Sequence, residues 1–275
     1  MSATGEVAPR AAGLLAAIVA AARRIVEVRR AREPLAELVR RASTVELRPG
    51  AFRSAVVRPG GVNVIAECKR RSPSRGILRP AYDPAAIARA YEAAGAAAVS
   101  VLTEPAFFDG SLEHVREVRR ASRLPVLRKD FIVDEYQIWE ARAAGADAVL
   151  LIVRALGASD LGRLHREARE AGLDVLVEIH DDAELEPALA AGATIVGVNS
   201  RDLQTLSVDP AVVRRLAGRI PPGVAAVAES GIRAARDVAE LRRAGYSAFL
   251  IGEHLMTSAD PGETLRALRG EAASV

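Results

Sequence analysis

One short phrase recurs along the chain and limits its fold more than any other feature. Copies begin at Ala94, Ala144, Ala191 and Ala244, with a variant at Ala171, and each places a glycine before a short apolar run. Glycine in this place takes the left-handed conformation that ends a helix. Apolar runs of this length between amphipathic stretches are typical of strands buried on both faces of a parallel sheet. The phrase therefore predicts a repeated strand–helix unit.

Counting all such apolar runs gives the number of strands. Eight alternate with amphipathic, arginine- and glutamate-rich stretches, which matches a (β/α)8 TIM barrel. A doubly wound sheet is the competing fold, but no G-x-G-x-x-G phrase follows the first run. We therefore predict an α/β protein with a single (β/α)8 TIM barrel. The predicted strands span 62–66, 97–102, 125–127, 148–152, 175–177, 194–198, 224–228 and 248–251.

The chain before the first strand is predicted to be helical. Apolar residues recur at helical spacing over 14–28, Pro34 interrupts the pattern, and a second short helix is expected over 35–42. We predict that residues 1–60 form a helical extension packed on the barrel of residues 61–275, within one structural domain. Two placements of this extension stay open at this point: a cap on the barrel bottom or a lid over its mouth.

Composition excludes several classes of protein. The single cysteine rules out a disulfide framework or a cysteine-rich zinc site, and the four histidines form no short metal-ligand spacing. The longest apolar run, 11–22, is too short to cross a bilayer. A net charge of +3 with 4% aromatic residues gives no sign of nucleic-acid binding. We therefore predict a cytoplasmic protein with no metal, no membrane contact and no nucleic-acid partner.

Lysine is almost absent from this chain. Of 38 lysines and arginines, only Lys69 and Lys129 are lysines. Arginine keeps its charge permanently, whereas lysine can release a proton or form a Schiff base at accessible pH. Lys69 follows the first predicted strand and Lys129 follows the third. Their placement indicates positions that arginine cannot fill.

Polar residues cluster where the other predicted strands end, which is the catalytic face of a TIM barrel. We expect Glu67, Lys69, Lys129 and Glu178 to form a mixed-charge cluster. A lysine beside a second cation has its pKa lowered, and a glutamate against apolar walls has its pKa raised. The glycines that follow the last two strands suit backbone binding of a phosphate. The further polar positions at these ends are Asn199, Arg201, Glu229, Ser230, Gly231, Gly252 and Glu253.

Three of the five phenylalanines lie beyond the second and third strands. Phe107, Phe108 and Phe131 are therefore predicted to form a flat apolar wall for an aromatic ligand.

Taken together, the motifs resemble the indole-3-glycerol phosphate synthase family of tryptophan biosynthesis. The resemblance covers roughly residues 62–258. It begins with the phrase IAECKRRSPS, which matches a family pattern I-A-E-x-K-x-x-S-P-S, and continues through LRKDFI and VEIH. The motifs that carry it span 65–74, 100–104, 108–111, 127–132, 177–180, 197–203, 228–231 and 250–252.

The resemblance implies a specific reaction that uses neither a metal nor an organic cofactor. In it, 1-(o-carboxyphenylamino)-1-deoxyribulose 5-phosphate closes to indole-3-glycerol phosphate with loss of CO2 and water. Lys129 would be the general acid, Glu178 its acid/base partner, and Lys69, positioned by Glu67, would hold the anthranilate carboxylate. Asn199 and Arg201 would bind hydroxyl and carboxylate groups. The remaining substrate-binding residues would be Ser72, Ser230, Gly231, Gly252 and Glu253 around the phosphate, Phe108, Phe131 and Leu150 in the aromatic pocket, and Glu229.

Two other functions stay open at this stage. A Schiff-base aldolase acting on a sugar phosphate would also use a lysine at the rim of a barrel. A non-catalytic barrel that binds a phosphorylated ligand would need the phosphate loops but not the acid/base set. In each case the partner is a phosphorylated small molecule, and no obligate protein partner is predicted.

Overall fold

Eight parallel strands and two short antiparallel ones form the sheets of the computed structural model, which describes residues 13–270. The strands are β1 (Asn63–Cys68), β2 (Arg71–Ser72), β3 (Gly76–Ile77), β4 (Ala98–Leu102), β5 (Val126–Lys129), β6 (Ala148–Ile152), β7 (Asp174–Ile179), β8 (Ile195–Asn199), β9 (Ala225–Glu229) and β10 (Ala248–Ile251).

Helices alternate with these strands. In chain order, residues 13–270 form α1 (Leu14–Arg32), α2 (Leu35–Ser43), α3 (Ala51–Val56), α4 (Pro84–Ala93), α5 (Pro105–Phe108), α6 (Leu112–Ala121), α7 (Glu135–Ala143), α8 (Ala158–Glu170), α9 (Leu185–Ala190), α10 (Pro210–Ala217), α11 (Ala235–Arg243), α12 (Glu253–Met256) and α13 (Pro261–Gly270).

The eight parallel strands close into a barrel. Their hydrogen-bonded order is β1-β10-β9-β8-β7-β6-β5-β4, and β1 pairs with both β4 and β10. The predicted TIM barrel is therefore confirmed, and every predicted strand lies within two residues of an observed one. The small β2–β3 hairpin, which follows β1, was not predicted.

The recurring glycines end helices as predicted. Gly95, Gly145 and Gly192 have φ values of 79°, 87° and 92°, the left-handed region that glycine adopts without strain. At the other helix ends, side chains satisfy free backbone N–H groups; Asp83, for example, accepts a hydrogen bond from the N–H of Ala86 at the start of α4. These local signals explain why the sequence alternates so regularly.

A helix that the sequence did not predict closes the N-terminal end of the barrel. Phe52 and Val56 of α3 are fully buried in the barrel core. The backbone N–H of Arg53 donates to Asp174, the first residue of β7. Because α3 packs against the starts of several strands, the bottom of the barrel is filled by this short segment.

Helix α1 lies along the opposite, C-terminal rim. It packs against α5, α7 and the 3-10 turn Val153–Ala155, which follows β6. Leu15, Ile18 and Ala22 are buried in the same core as the strands. Of the two placements that the sequence left open, α1 lies on the side of the mouth, whereas α3 closes the bottom. Helix α2 packs on α7, and no helix within residues 13–270 is long and apolar enough to cross a membrane.

Candidate active site

A cavity of about 360 Å³ opens at the C-terminal ends of the barrel strands. All the residues predicted for the site except Phe107 line it, and they come from several different strands because the carboxyl ends of a parallel barrel meet at one mouth. They are Glu67, Lys69, Ser72, Phe108, Lys129, Phe131, Leu150, Glu178, Asn199, Arg201, Glu229, Ser230, Gly231, Gly252 and Glu253.

Lys129 stands between two carboxyl groups. Its Nζ lies 3.3 Å from Glu178 Oε2 and 3.9 Å from Glu229 Oε2. Burial lowers the pKa of this ammonium, whereas the neighbouring carboxylates, chiefly Glu178, raise it by a larger amount. The net shift of the Lys129 pKa is therefore upward. The expectation of a lowered lysine pKa is therefore wrong, because Lys129 faces acids and not a second cation.

The pKa values of the two glutamates beside Lys129 are shifted in opposite directions. Burial favours the neutral form of both. Lys129 and His180 more than offset this for Glu178 and hold the pKa of that carboxyl well below its usual range. Burial and the nearby Glu178 charge raise the pKa of Glu229 well above its usual range. The predicted rise in a glutamate pKa therefore applies to Glu229. These shifts favour a proton on the Glu229 carboxyl and the ionised form of Glu178.

A glycine on β8 makes room for the protonated carboxyl. A Cβ on Gly197 would lie only 2.1 Å from Glu229 Oε1. The Glu229 carboxyl therefore occupies the space over β8 that a side chain at position 197 would need.

Asn199 and Ser230 form the next part of the wall. Ser230 Oγ donates a 2.8 Å hydrogen bond to Asn199 Oδ1, and Asn199 also hydrogen-bonds Glu178, which helps to lower the pKa of that carboxyl. Ser230 has a φ of 66°, and Gly231 follows with 77°. A left-handed serine is unusual away from functional loops, so this turn is shaped for contact with a ligand.

The second lysine pairs with the first glutamate of the site. Lys69 Nζ lies 2.5 Å from Glu67 Oε1, and both side chains are largely buried. Glu67 in turn lies over Gly252, where an added Cβ would be 2.1 Å from its Oε1. A glycine within β8 and a glycine directly after β10 thus each leave space for one glutamate carboxyl group.

Arginines surround Glu253 at the edge of the cavity. Its carboxylate lies 3.1 Å from Arg201, 3.3 Å from Arg75 and 3.9 Å from Arg233. Ser72 and Ser74 line the same region and lie 3.3 Å apart. Guanidinium and hydroxyl donors at one place provide a strong anion-binding chemistry.

The opposite wall is apolar. The rings of Phe108 and Phe131 lie 6.1 Å apart at an angle of 34°, and Leu102, Leu150 and Ile152 extend the surface around them. Phe107, predicted to share this wall, does not line the cavity; it packs against the core instead. Two of the three predicted aromatic residues therefore form the wall.

Sequence reasoning missed the charged residues behind the cavity. His180 lies 3.2 Å from Glu178, and strand alternation could have found it because it follows Glu178 by two residues. Arg128 is fully buried and its guanidinium contacts Asp130 at 2.9 Å and Glu140 at 3.2 Å. Within residues 13–270, no cluster of three or more histidine, cysteine, aspartate or glutamate side chains is arranged to hold a metal ion.

Comparison with curated proteins gives closely similar relatives. An indole-3-glycerol phosphate synthase 2 from Streptomyces coelicolor is 49% identical over 94% of this chain and 99% of its own length. An indole-3-glycerol phosphate synthase from Nocardioides sp. is 51% identical over 92% of this chain and 96% of its own length. Both relatives are matched over almost their whole sequences.

Solved structures show the same fold at lower identity. A thiamine phosphate pyrophosphorylase from Pyrococcus furiosus superimposes with a TM-score of 0.60, covering 78% of this chain and 96% of its own, at 18% identity. That similarity concerns the barrel alone. Residues 15–268 match the sequence model described as indole-3-glycerol phosphate synthase. The family predicted from the motifs is thus confirmed, and the chain belongs to the indole-3-glycerol phosphate synthase family.

Proposed function

We propose that this chain is a carbon–carbon lyase that converts 1-(o-carboxyphenylamino)-1-deoxyribulose 5-phosphate to indole-3-glycerol phosphate, CO2 and water. The observation that carries the proposal is the Lys129 ammonium, paired with the ionised Glu178 in a buried mouth beside an apolar wall. Membership of the family and the close relatives support it. The step that most needs the protein is the attack of the anthranilate ring on the ketone carbon.

Lys129 is the general acid in that step. As the ring carbon that bears the carboxylate bonds to the ketone carbon, the ketone oxygen gains negative charge and takes a proton. An alkoxide is far more basic than the surrounding carboxylates, so it removes a proton even from an ammonium whose pKa is raised. An arginine there would bind the oxygen but not protonate it.

Two further steps complete the reaction. CO2 leaves from the ring carbon that attacked the ketone, and the electrons of the broken carbon–carbon bond restore the aromatic ring. The new hydroxyl then leaves as water after it accepts a proton, while the adjacent carbon loses one to form the indole double bond. Glu178 is the partner acid/base, and Lys69, held by Glu67 at 2.5 Å, binds the carboxylate. Asn199 binds the hydroxyl from its position beside Glu178.

The phosphate lies among Ser72, Ser230, Gly231, Gly252 and the backbone of Glu253. Arg201, whose guanidinium lies 3.1 Å from the Glu253 side chain at the edge of the cavity, binds the substrate carboxylate through charge-assisted hydrogen bonds.

The aromatic ring of the substrate packs against Phe108, Phe131 and Leu150, and the protonated Glu229 closes the polar side. We further propose that residues 1–60 act as an extension of the barrel within a single domain, and that the enzyme works in the cytoplasm. Substrate binding requires a phosphorylated small molecule and no protein partner.

A Schiff-base aldolase fits this geometry less well. Its lysine must be a neutral amine to attack a carbonyl, whereas the carboxylates around Lys129 raise the pKa of its ammonium. A binding-only barrel has no use for an ionised and a protonated glutamate beside one lysine.

The test is a product assay with the anilino-deoxyribulose phosphate. We expect indole absorbance and fluorescence to rise with stoichiometric release of CO2, and Lys129→Arg to lose about two orders of magnitude in kcat with an unchanged unfolding midpoint. Borohydride added with substrate should leave Lys129 unmodified. A trapped lysine adduct would identify an aldolase, and binding of the substrate without turnover would identify a binding protein.

A further inference from the structure

His180 is a buried histidine between two carboxylates. Its Nε2 lies 3.2 Å from Glu178 Oε1 and its Nδ1 lies 3.5 Å from Glu184 Oε2. Only 2% of its side chain is exposed. A neutral imidazole has one N–H donor and one lone pair, so in this place it would turn a lone pair towards one of the carboxylates. An imidazolium has a donor for each of them.

The charged groups around His180 alternate in sign. Arg154, from the turn after β6, contacts Glu184 at 2.7 Å, and Glu184 faces His180 from the turn after β7. On the other side, His180 faces Glu178, which faces Lys129 of β5. Asp181 and Asp202 complete the surroundings through Arg154. His180 therefore lies between two carboxylates, each of which faces a further cation on its other side.

This row of charged side chains, from Arg154 through Glu184, His180 and Glu178 to Lys129, also decides which of two adjacent carboxyls holds a proton. Glu178 and Glu229 lie beside each other in the mouth, and two buried carboxyls in contact share one proton between them. Within residues 13–270, Lys129 is the cation that contacts Glu229, whereas both Lys129 and His180 contact Glu178. A positive His180 therefore directs the proton to Glu229 and leaves Glu178 as the anion.

We propose that His180 is a positioning residue: as an imidazolium behind the cavity, it keeps Glu178 ionised, oriented towards Lys129 and unable to take the proton of Glu229. The inference rests on the proposed function, in which Glu178 is the acid/base partner. His180 itself does not line the cavity and acts on the substrate through Glu178. Burial lowers the pKa of His180, but the carboxylates of Glu178 and Glu184 raise it to about 9, in agreement with this geometry.

The first test needs no activity. Nitrogen-15 spectra of the histidine rings, recorded from pH 6 to 10, should show one imidazolium that persists to about pH 9 and disappears in His180→Gln. Glu184→Gln, which removes the outer carboxylate, should lower that ring's pKa by about one unit. A His180 ring that is neutral at pH 7 would overturn the proposal, whatever the enzyme catalyses.

The second test separates charge from hydrogen bonding. Glutamine at 180 keeps an N–H donor near the Nε2 position but carries no charge. We expect the kcat of His180→Gln to fall about tenfold at pH 6 and less at pH 8.5, because a change of one unit in the relative pKa of Glu178 and Glu229 changes the distribution of their shared proton tenfold, and that proton is lost as the pH rises. KM should change less than about twofold. His165→Gln, at a buried histidine of α8 away from the cavity, is the matched control and should follow the wild-type profile.

The outcomes separate this inference from the proposed function. An equal loss of kcat at every pH would indicate a structural role for His180 and refute positioning by charge, and so would an unchanged profile. If the wild-type protein forms no indole product, the proposed function fails, while the ring spectra still decide the charge on His180. If His180→Gln does not fold, the wild-type and Glu184→Gln spectra decide it.

Discussion

Gly197 provides the sharpest test of how the barrel shapes its site. It lies in β8 facing the interior, and a Cβ there would be 2.1 Å from Glu229 Oε1, 3.2 Å from Glu229 Cδ and 3.2 Å from Leu176 Cδ1. Ordinary contact begins near 3.4 Å, so in Gly197→Ala the Glu229 oxygen must move by more than 1 Å. It has little space to move into, because Glu229 is 1% exposed.

The substitution should therefore affect stability and activity together. Overpacking of a buried site typically costs about 1–3 kcal/mol, and we expect the free energy of unfolding to fall within that range. A displacement of about 1 Å in a catalytic arrangement can cost about a hundredfold in rate. Because Glu229 also lies 3.9 Å from Lys129 and beside Glu178, we expect kcat to fall about tenfold to a hundredfold.

Urea unfolding followed by the fluorescence of Trp139, the single tryptophan, measures the first effect, and indole fluorescence under saturating substrate measures the second. Gly162→Ala is the matched control, since it lies within α8 and its added Cβ would have only an Arg166 nitrogen at 3.7 Å. That variant should be more stable by about 0.5–1 kcal/mol with unchanged kcat. A Gly197→Ala enzyme with wild-type kcat would show that the position of Glu229 does not matter and would refute this reasoning.

Other substitutions test the charges of the site. Glu229→Gln should change the free energy of unfolding by less than about 1 kcal/mol, because the carboxyl it replaces is already neutral. Glu178→Gln should reduce kcat far more than Glu229→Gln does. Equal kcat values for the two variants would contradict the assigned protonation states. Arg128→Met should lower the free energy of unfolding by about 3–5 kcal/mol, measured in urea, because it leaves the buried Asp130 carboxylate without its cation and leaves Glu140 with Arg29 alone. The pKa of His180 is raised from 6.5 to about 9 in the folded state, so its contribution is complete below pH 6.5 and is lost as the pH rises through 9. The stability difference between wild type and His180→Gln should therefore shrink over that interval, by at most about 3 kcal/mol, and a difference that grows would have the wrong sign.

The strands were predictable because their signals are local. Five of the buried runs follow a glycine of positive φ that ends a helix, and the observed strands start and end within two residues of the predicted ones. The site was predictable for a related reason, since residues at the carboxyl ends of parallel strands must share one mouth. Lys69 and Lys129 could be placed at this mouth without knowing which strands are neighbours in the barrel.

What could not be predicted depends on contacts between distant segments. Helix α3 has only six residues, and its place is decided by the barrel bottom that Phe52 and Val56 fill. The pKa of Lys129 depends on its facing Glu178 and Glu229, which come from strands that are not neighbours of β5 in the barrel. The order of residues along the chain does not show which charged side chains contact each other across the barrel interior. His180 is an exception, because alternation along the chain places it on the same side as Glu178.

The pairing of β1 with β10 has a consequence for the order of folding events. It joins Asn63 to Ala248, and closing so long a stretch of chain is entropically costly and slow compared with forming the helices. Because Glu67 lies over Gly252, the last strand supplies part of the floor beneath the Lys69 pair. A chain that still lacks its final strand can have a compact core but no complete phosphate pocket. In a refolding experiment, regained ligand binding would therefore time the closure of the ring, later than the return of secondary structure.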